Sequence, residues 1–249
     1  MIPGRIIAAF AILVIFAAPA SAQVKQNTGW FASFNTIKLS KKFSLHADIQ
    51  IRSSDDWQQV QSMIYRVGLN YHIKPTQVLT MGYAFVPNRA SIGAHDALLA
   101  EHRIWQQYLV SHKAWIATVS HRFRLEERFV PKAVLKDQAV EQDGHLYSTR
   151  FRYFIRAVIP FTKKQPFVKG PFAALQNELF LNVSNKDNVN DQVFDQNRAY
   201  GAIGYRVSKK FDVEVGYMNQ FIVRRPLIGG NANNNVSNNI IQLAVYTRL

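Results

Sequence analysis

The sequence predicts an all-β chain, a closed antiparallel transmembrane β-barrel of ten or twelve strands with short periplasmic turns and long extracellular loops. Three observations predict it. Apolar and polar residues alternate with period two over long segments; a tilted strand needs roughly 9–11 residues to cross a bilayer, about twice the usual ~5–6 of a soluble strand. Short turns alternate with long connections, the segment 161–171 excepted, as they do when one rim carries tight hairpins and the other carries loops. Aromatic residues fall at strand ends on the apolar face, where the two interfaces of a bilayer accept half-wet rings.

Taken in order, the chain opens with Arg5 and an unbroken apolar stretch from Ile6 to Phe16, followed by the small residues Ala20-Ser21-Ala22. This is the pattern of a secretory signal peptide, residues 1–22, cleaved after Ala22 and leaving residues 23–249 as one barrel domain. A first strand at about 27–38 is less regular. The second is the cleanest: Phe43, Leu45, Ala47, Ile49 and Ile51 face one way, and Ser44, His46, Asp48, Gln50 and Arg52 the other. Strand 63–73 sets Met63, Tyr65, Val67, Leu69, Tyr71 and Ile73 against Arg66, Asn70 and His72. Strand 77–86 carries Tyr83 and Phe85 on its apolar face. Segment 95–110 is ambiguous, because Leu98, Leu99, His102 and Trp105 also suit a helix face. Strands at 115–130, 146–160, 172–184, 195–207, 211–222 and 239–249 complete the pattern. These are eleven candidates, whereas bacterial single-chain barrels have even numbers. Either 27–38 lies outside the ladder or a twelfth strand hides in a connection.

Beside the short turns, the apolar face carries Phe43, Tyr71, Trp115, Tyr205 and Phe211; beside the long connections it carries Tyr83, Phe85, Phe129 and Phe221. These are the candidate membrane-interface residues. The short turns are basic, with Lys41, Lys42, Lys74, Lys113, Lys209 and Lys210 placed to meet anionic headgroups. Outer-membrane lipids, lipopolysaccharide and the barrel-insertion machinery are therefore the expected partners.

The polar face is strongly charged. One strand offers Arg122, Arg124, Glu126 and Arg128, the next Arg150, Arg152 and Arg156. Others add Arg66, Glu178, Arg198, Arg206 and Glu214. In a narrow lumen each such ion needs a partner or retained water. Two readings of that interior remain: a structural lumen filled by Arg–Glu pairs, or a narrow passive channel whose arginine excess favours anionic small solutes. Arginine forks match carboxylate and phosphate, so acidic sugars and organic phosphates are candidate solutes.

The whole chain has 249 residues, 30 Lys plus Arg against 16 Asp plus Glu, and no cysteine. The missing cysteines exclude disulfide frameworks, thiolate zinc sites and thiol nucleophiles. No nucleophile elbow, zinc helix or phosphate loop is present, so no catalytic residue, metal or cofactor is assigned. Ser120 and His121 are adjacent on one strand and face opposite sides, which prevents either from orienting the other. The remaining histidines lack ligand spacing, and the Asx-rich segment Asn185–Asp195 lacks the glycine and glutamate of a dedicated calcium loop. Basic residues spread over a membrane-like pattern do not predict nucleic-acid binding. Rival readings are a lipid- or lipopolysaccharide-active enzyme and a soluble periplasmic β-sandwich that binds acidic ligands.

Six blocks resemble the bacterial domain of unknown function 2490: Glu101–Gln107, Arg122–Phe129, Arg150–Tyr153, Asn177–Asn182, Phe194–Arg198 and Gly216–Asn219. Members of that family are regarded as outer-membrane barrels without an assigned activity, so the resemblance implies a location and no reaction. The last strand departs from the usual outer-membrane ending. It closes on Leu249 rather than an aromatic residue, and Thr247 interrupts the alternation of Ile241, Leu243 and Val245.

Overall fold

The computed structural model describes residues 24–225 and 235–249. The expected signal peptide, its cleavage point at Ala22 and residues 231–234 of the asparagine-rich stretch 231–239 lie outside the described residues. A strand with every second residue apolar must give each face its own environment, and curling the sheet closed supplies two while pairing the backbone throughout. Eleven strands close in this way: β1 (Val24–Lys38), β2 (Phe43–Ser53), β3 (Val60–Lys74), β4 (Gln77–Ile92), β5 (His95–Ala114), β6 (Ala117–Lys136), β7 (Ala139–Pro160), β8 (Gly170–Ser184), β9 (Phe194–Ser208), β10 (Phe211–Ile222) and β11 (Val236–Arg248).

Consecutive strands pair antiparallel, but the seam between β1 and β11 is parallel, running from Val24 beside Val236 to Thr36 beside Arg248. The expectation of ten or twelve strands, all antiparallel, is thereby corrected. Segment 27–38 is inside the ladder, and no twelfth strand exists among the described residues. An even count is required only where every neighbour is antiparallel; one parallel seam accommodates an odd one. Both seam strands run from the long-connection rim to the short-turn rim.

Two further expectations change. Segment 95–110 is strand β5, with Glu101, Arg103 and Trp105 buried on one face while Leu98 on the other is exposed. The long connections expected at 87–94 and 131–145 are extensions of β4–β5 and β6–β7, each ending in a two-residue turn. At the second of these, Asp137 and Gln138 both adopt positive φ (47° and 63°), the mirror-image turn that matches strand twist.

The outer wall is a broad apolar band that includes Ile49, Val67, Leu69, Leu79, Met81, Leu125, Ile203, Val215, Ile241 and Leu243, all exposed. So large an exposed apolar surface marks contact with something apolar. Rings gather at its two edges. Phe43 meets Tyr71 at 5.4 Å near the short turns, where Tyr205 and Phe211 also point outward. Toward the other rim, Phe85 meets Tyr65, Phe129 meets Tyr147, and Phe221 meets Phe194, at 5.5–6.3 Å. Tyr83 lies one outward position closer to the middle and bonds His102 Nδ1 at 2.5 Å. Trp115, expected to begin a strand, instead occupies the β5–β6 turn with φ 56° and is 79% exposed. A two-residue hairpin turn imposes that backbone on it.

Inside, apolar groups divide into two clusters. Trp105 packs with Ile64, Ala84 and Val86. Its ring lies so close to β3 and β4 that only glycine fits beneath it; a Cβ on Gly82 would be 2.5 Å from the ring, and one on Gly68 would be 2.8 Å away. The second cluster gathers Trp30, Phe172, Tyr200, Met218 and Ile240, together with Phe167 from the 161–169 connection. That exceptional connection turns into the barrel, where the Phe167 carbonyl accepts a bond from Arg206 Nη1 at 3.0 Å.

Candidate functional site: an arginine-lined lumen

Period-two geometry points residues of equal parity inward, so the charged rows of β2 to β10 converge on one interior. Every lumen residue expected from the sequence faces that interior. Most are held by carboxylates. Toward the long-connection rim, Glu101 accepts from Arg103 (2.8 and 2.9 Å) and Arg128 (2.6 and 3.3 Å). Glu126, 1% exposed, accepts from Arg150 Nη2 at 2.7 Å and Arg152 Nη1 at 2.5 Å, with Arg124 Nη1 3.7 Å away. Arg150 also reaches Asp195 at 2.8 Å. Glu178 takes Arg152 Nη2 at 2.7 Å and Arg122 Nη2 at 2.5 Å.

The ion pairs do more than link neighbouring strands. Arg156 on β7 donates to Glu214 on β10 at 2.5 Å, across the lumen, and the hydroxyls of Tyr200 and Tyr246 donate to the same carboxylate at 2.9 and 3.1 Å. Arg66 pairs with Asp48 at 2.9 Å, and the Arg206 fork grips Asp212 at 2.9 and 3.0 Å while Arg248 lies 2.8 Å from it. Bidentate and shared geometries of this kind are what offset the desolvation of buried ions.

Three arginines are handled differently. Arg124 donates twice to Gln107 Oε1 (3.0 and 2.6 Å) and lies over the Trp105 ring at 4.5 Å, leaving Nη1 without a hydrogen bond. Arg52 donates to Gln50 Oε1 at 2.8 Å, and Arg198 to Gln196 Oε1 at 3.0 Å. Neither Arg52 nor Arg198 forms an ion pair with a carboxylate among the described residues, and both guanidiniums lie over the Trp30 ring, at 3.9 and 5.1 Å from its centroid.

These last two border a cavity of about 290 Å³ that runs toward the short-turn rim, where Thr36, Thr247 and Arg248 line it. Its wall includes Arg52, Arg66, Arg122, Arg152, Arg156, Arg198 and Arg248, but Glu178 as the lining carboxylate. Trp30, Phe34, Phe154, Met218 and Tyr246 supply an apolar part of the same wall. The chamber can therefore hold a negatively charged guest with an apolar body.

Sequence reasoning did not single out Trp30, Arg52, Glu101, Arg103, Trp105, Asp195 or Asp212 for the lumen. Arg52 was legible as the last polar-face residue of β2; Glu101 and Arg103 were masked by the helix-like spacing of β5. Trp30 sits in the irregular β1, and no local signal aims it inward. Ser120 and His121 behave as expected of neighbours: Ser120 bonds Ser111 on the inner face at 2.8 Å, and His121 bonds Tyr153 on the outer face at 2.9 Å.

The chain is 26% identical over 224 residues to an uncharacterized protein of Methylorubrum extorquens, an alignment covering 87% of this chain and 88% of that one. Its fold is similar to that of the NanC porin in a rhombohedral crystal form, with a TM-score of 0.52 and 10% sequence identity, over 89% of this chain and 98% of the porin. That likeness concerns the fold alone. Residues 27–227 match the family described as "Protein of unknown function (DUF2490)", and the chain, a porin-like β-barrel, belongs to that family.

Proposed function

We propose that this protein is an integral outer-membrane barrel that passes small anions along its lumen. The observation that carries the reading is the arginine excess around the cavity: seven guanidiniums line it, and the carboxylates that pair with them are four, Asp48, Glu178, Glu214 and Asp212. A narrow passage whose wall carries surplus positive charge lowers the barrier for anions and raises it for cations. The exposed apolar band, with rings at both edges, supports placement in the bilayer. In this orientation the short lysine-bearing turns face the periplasm, and the chain is exported behind a leader cleaved after Ala22.

Planar-bilayer recording tests the reading. Under a potassium chloride gradient, the reversal potential should report chloride preferred over potassium, and the preference should shrink as ionic strength screens the wall. A cation preference, or no current from folded protein, would overturn it. Heat-modifiable migration in detergent and recovery from the outer-membrane fraction test the placement.

A further inference from the structure

The arginines of the lumen are not equivalent, and the difference marks a site. Resting on the anion reading above, we infer that Arg52 and Arg198, set over Trp30, form a binding subsite for a small organic anion that carries a carboxylate or phosphate on an apolar body. Around the rest of the wall, each guanidinium that lines the cavity already has a carboxylate: Asp48 for Arg66, Glu178 for Arg122 and Arg152, Glu214 for Arg156, and Asp212 for Arg248. Arg52 and Arg198 have only amide oxygens. Two cations over one ring repel each other, and a shared anion removes that repulsion.

The geometry suits one guest. With 3.9 and 5.1 Å to a common centroid, the two guanidinium carbons lie at most about 9 Å apart, close enough for both charges to act on one guest in the cavity they border. Chloride would satisfy the charge but make no use of the apolar part of the wall, to which Trp30, Phe34, Phe154 and Met218 contribute. The cavity of about 290 Å³ equals roughly ten waters at ~30 Å³ each, so the body is a single small ring or a short chain, not an oligomer. Trp30 itself is pinned: it stands opposite Arg52 in the β1–β2 ladder and beside Gln242 across the parallel seam. The subsite therefore exists only because β1 is part of the barrel.

Isothermal titration of the folded protein in detergent, with benzoate, phenyl phosphate, inorganic phosphate and benzylamine as probes, tests the assignment. Benzoate or phenyl phosphate should bind saturably, and the stronger of the two identifies the headgroup. Inorganic phosphate should bind at least tenfold more weakly than phenyl phosphate, and benzylamine not at all. The Arg52→Gln/Arg198→Gln double variant should lose tenfold or more in affinity, while Arg89→Gln on the β4–β5 extension should change nothing. Arg52→Lys keeps the charge without the fork, and should fall between the two should the double variant not fold. Unchanged binding in the folded variants, or equal binding of benzylamine, overturns the subsite. Because titration needs no current, the two readings separate. A barrel that binds benzoate but conducts no anions keeps the subsite and loses the channel, whereas one that conducts anions without binding any probe loses the subsite alone.

Discussion

On β6 and β7, Arg150 and Arg152 clasp Glu126 from two sides and extend to Asp195 and Glu178. Elsewhere on the same wall, Arg52 on β2 and Arg198 on β9 have amide oxygens and the Trp30 ring as partners, and Arg198 also lies over the Phe180 ring at 4.6 Å. The same side chain, on the same inner face, is structural in one region and open to a guest in the other. Burial does not separate them, since Arg150, Arg152 and Arg198 are all buried. The partner does: a carboxylate neutralises a guanidinium permanently, while an amide oxygen satisfies one donor and leaves the charge to be met.

The comparison can be broken most directly at Glu126. Glu126→Ala strips Arg150 and Arg152 of a shared counterion, and orphaning a buried ion pair costs about 3–5 kcal/mol. The folded, heat-modifiable band should weaken sharply, and the urea midpoint should fall accordingly. The next largest effect is expected at Gly82→Ala. The new methyl meets Trp105 and the Val67 carbonyl oxygen, 2.3 Å away, so overpacking should cost about 1–3 kcal/mol and disturb the ring beneath Arg124, read as a shift in tryptophan emission.

Arg198→Gln sharpens the contrast from the other side. It strands no carboxylate, so its unfolding midpoint should stay within about 1 kcal/mol of the parent, although anion preference in the bilayer should drop. A loss as large as that of Glu126→Ala would erase the distinction between the two regions. The smallest effect belongs to Lys132→Ala on the β6–β7 extension. Its 3.0 Å pair with Asp143 is more than half exposed on both sides, so stability should change by less than about 0.5 kcal/mol.

The paired wall and the open one were unequally visible in the sequence. Alternation exposed most of the strands and put Arg124, Glu126, Arg150, Arg152 and Glu178 on a common face, because parity alone decides which way a strand residue points. It could not say which arginine meets which acid, since that depends on register and on reach across the barrel, as Arg156 to Glu214 shows. Alternation also vanishes where both faces are wet, which is why the ribbons beyond Val86 and Val130 read as loops. The parallel seam was the least legible feature of all. Asn27 and Asn239 are partners in the ladder, yet nothing local in either segment announces the other, and an even-number rule drawn from hairpin closure pointed the wrong way.

That seam has a topological corollary. Val24 opens β1 at one mouth, and Leu249 follows β11 at the opposite one. In the proposed orientation, an epitope fused ahead of β1 would be reachable by antibody on intact cells, whereas the same epitope appended after β11 would stay shielded within the envelope. No short peptide could splice the two ends together, so this molecule should resist the circular permutation that hairpin-closed barrels permit.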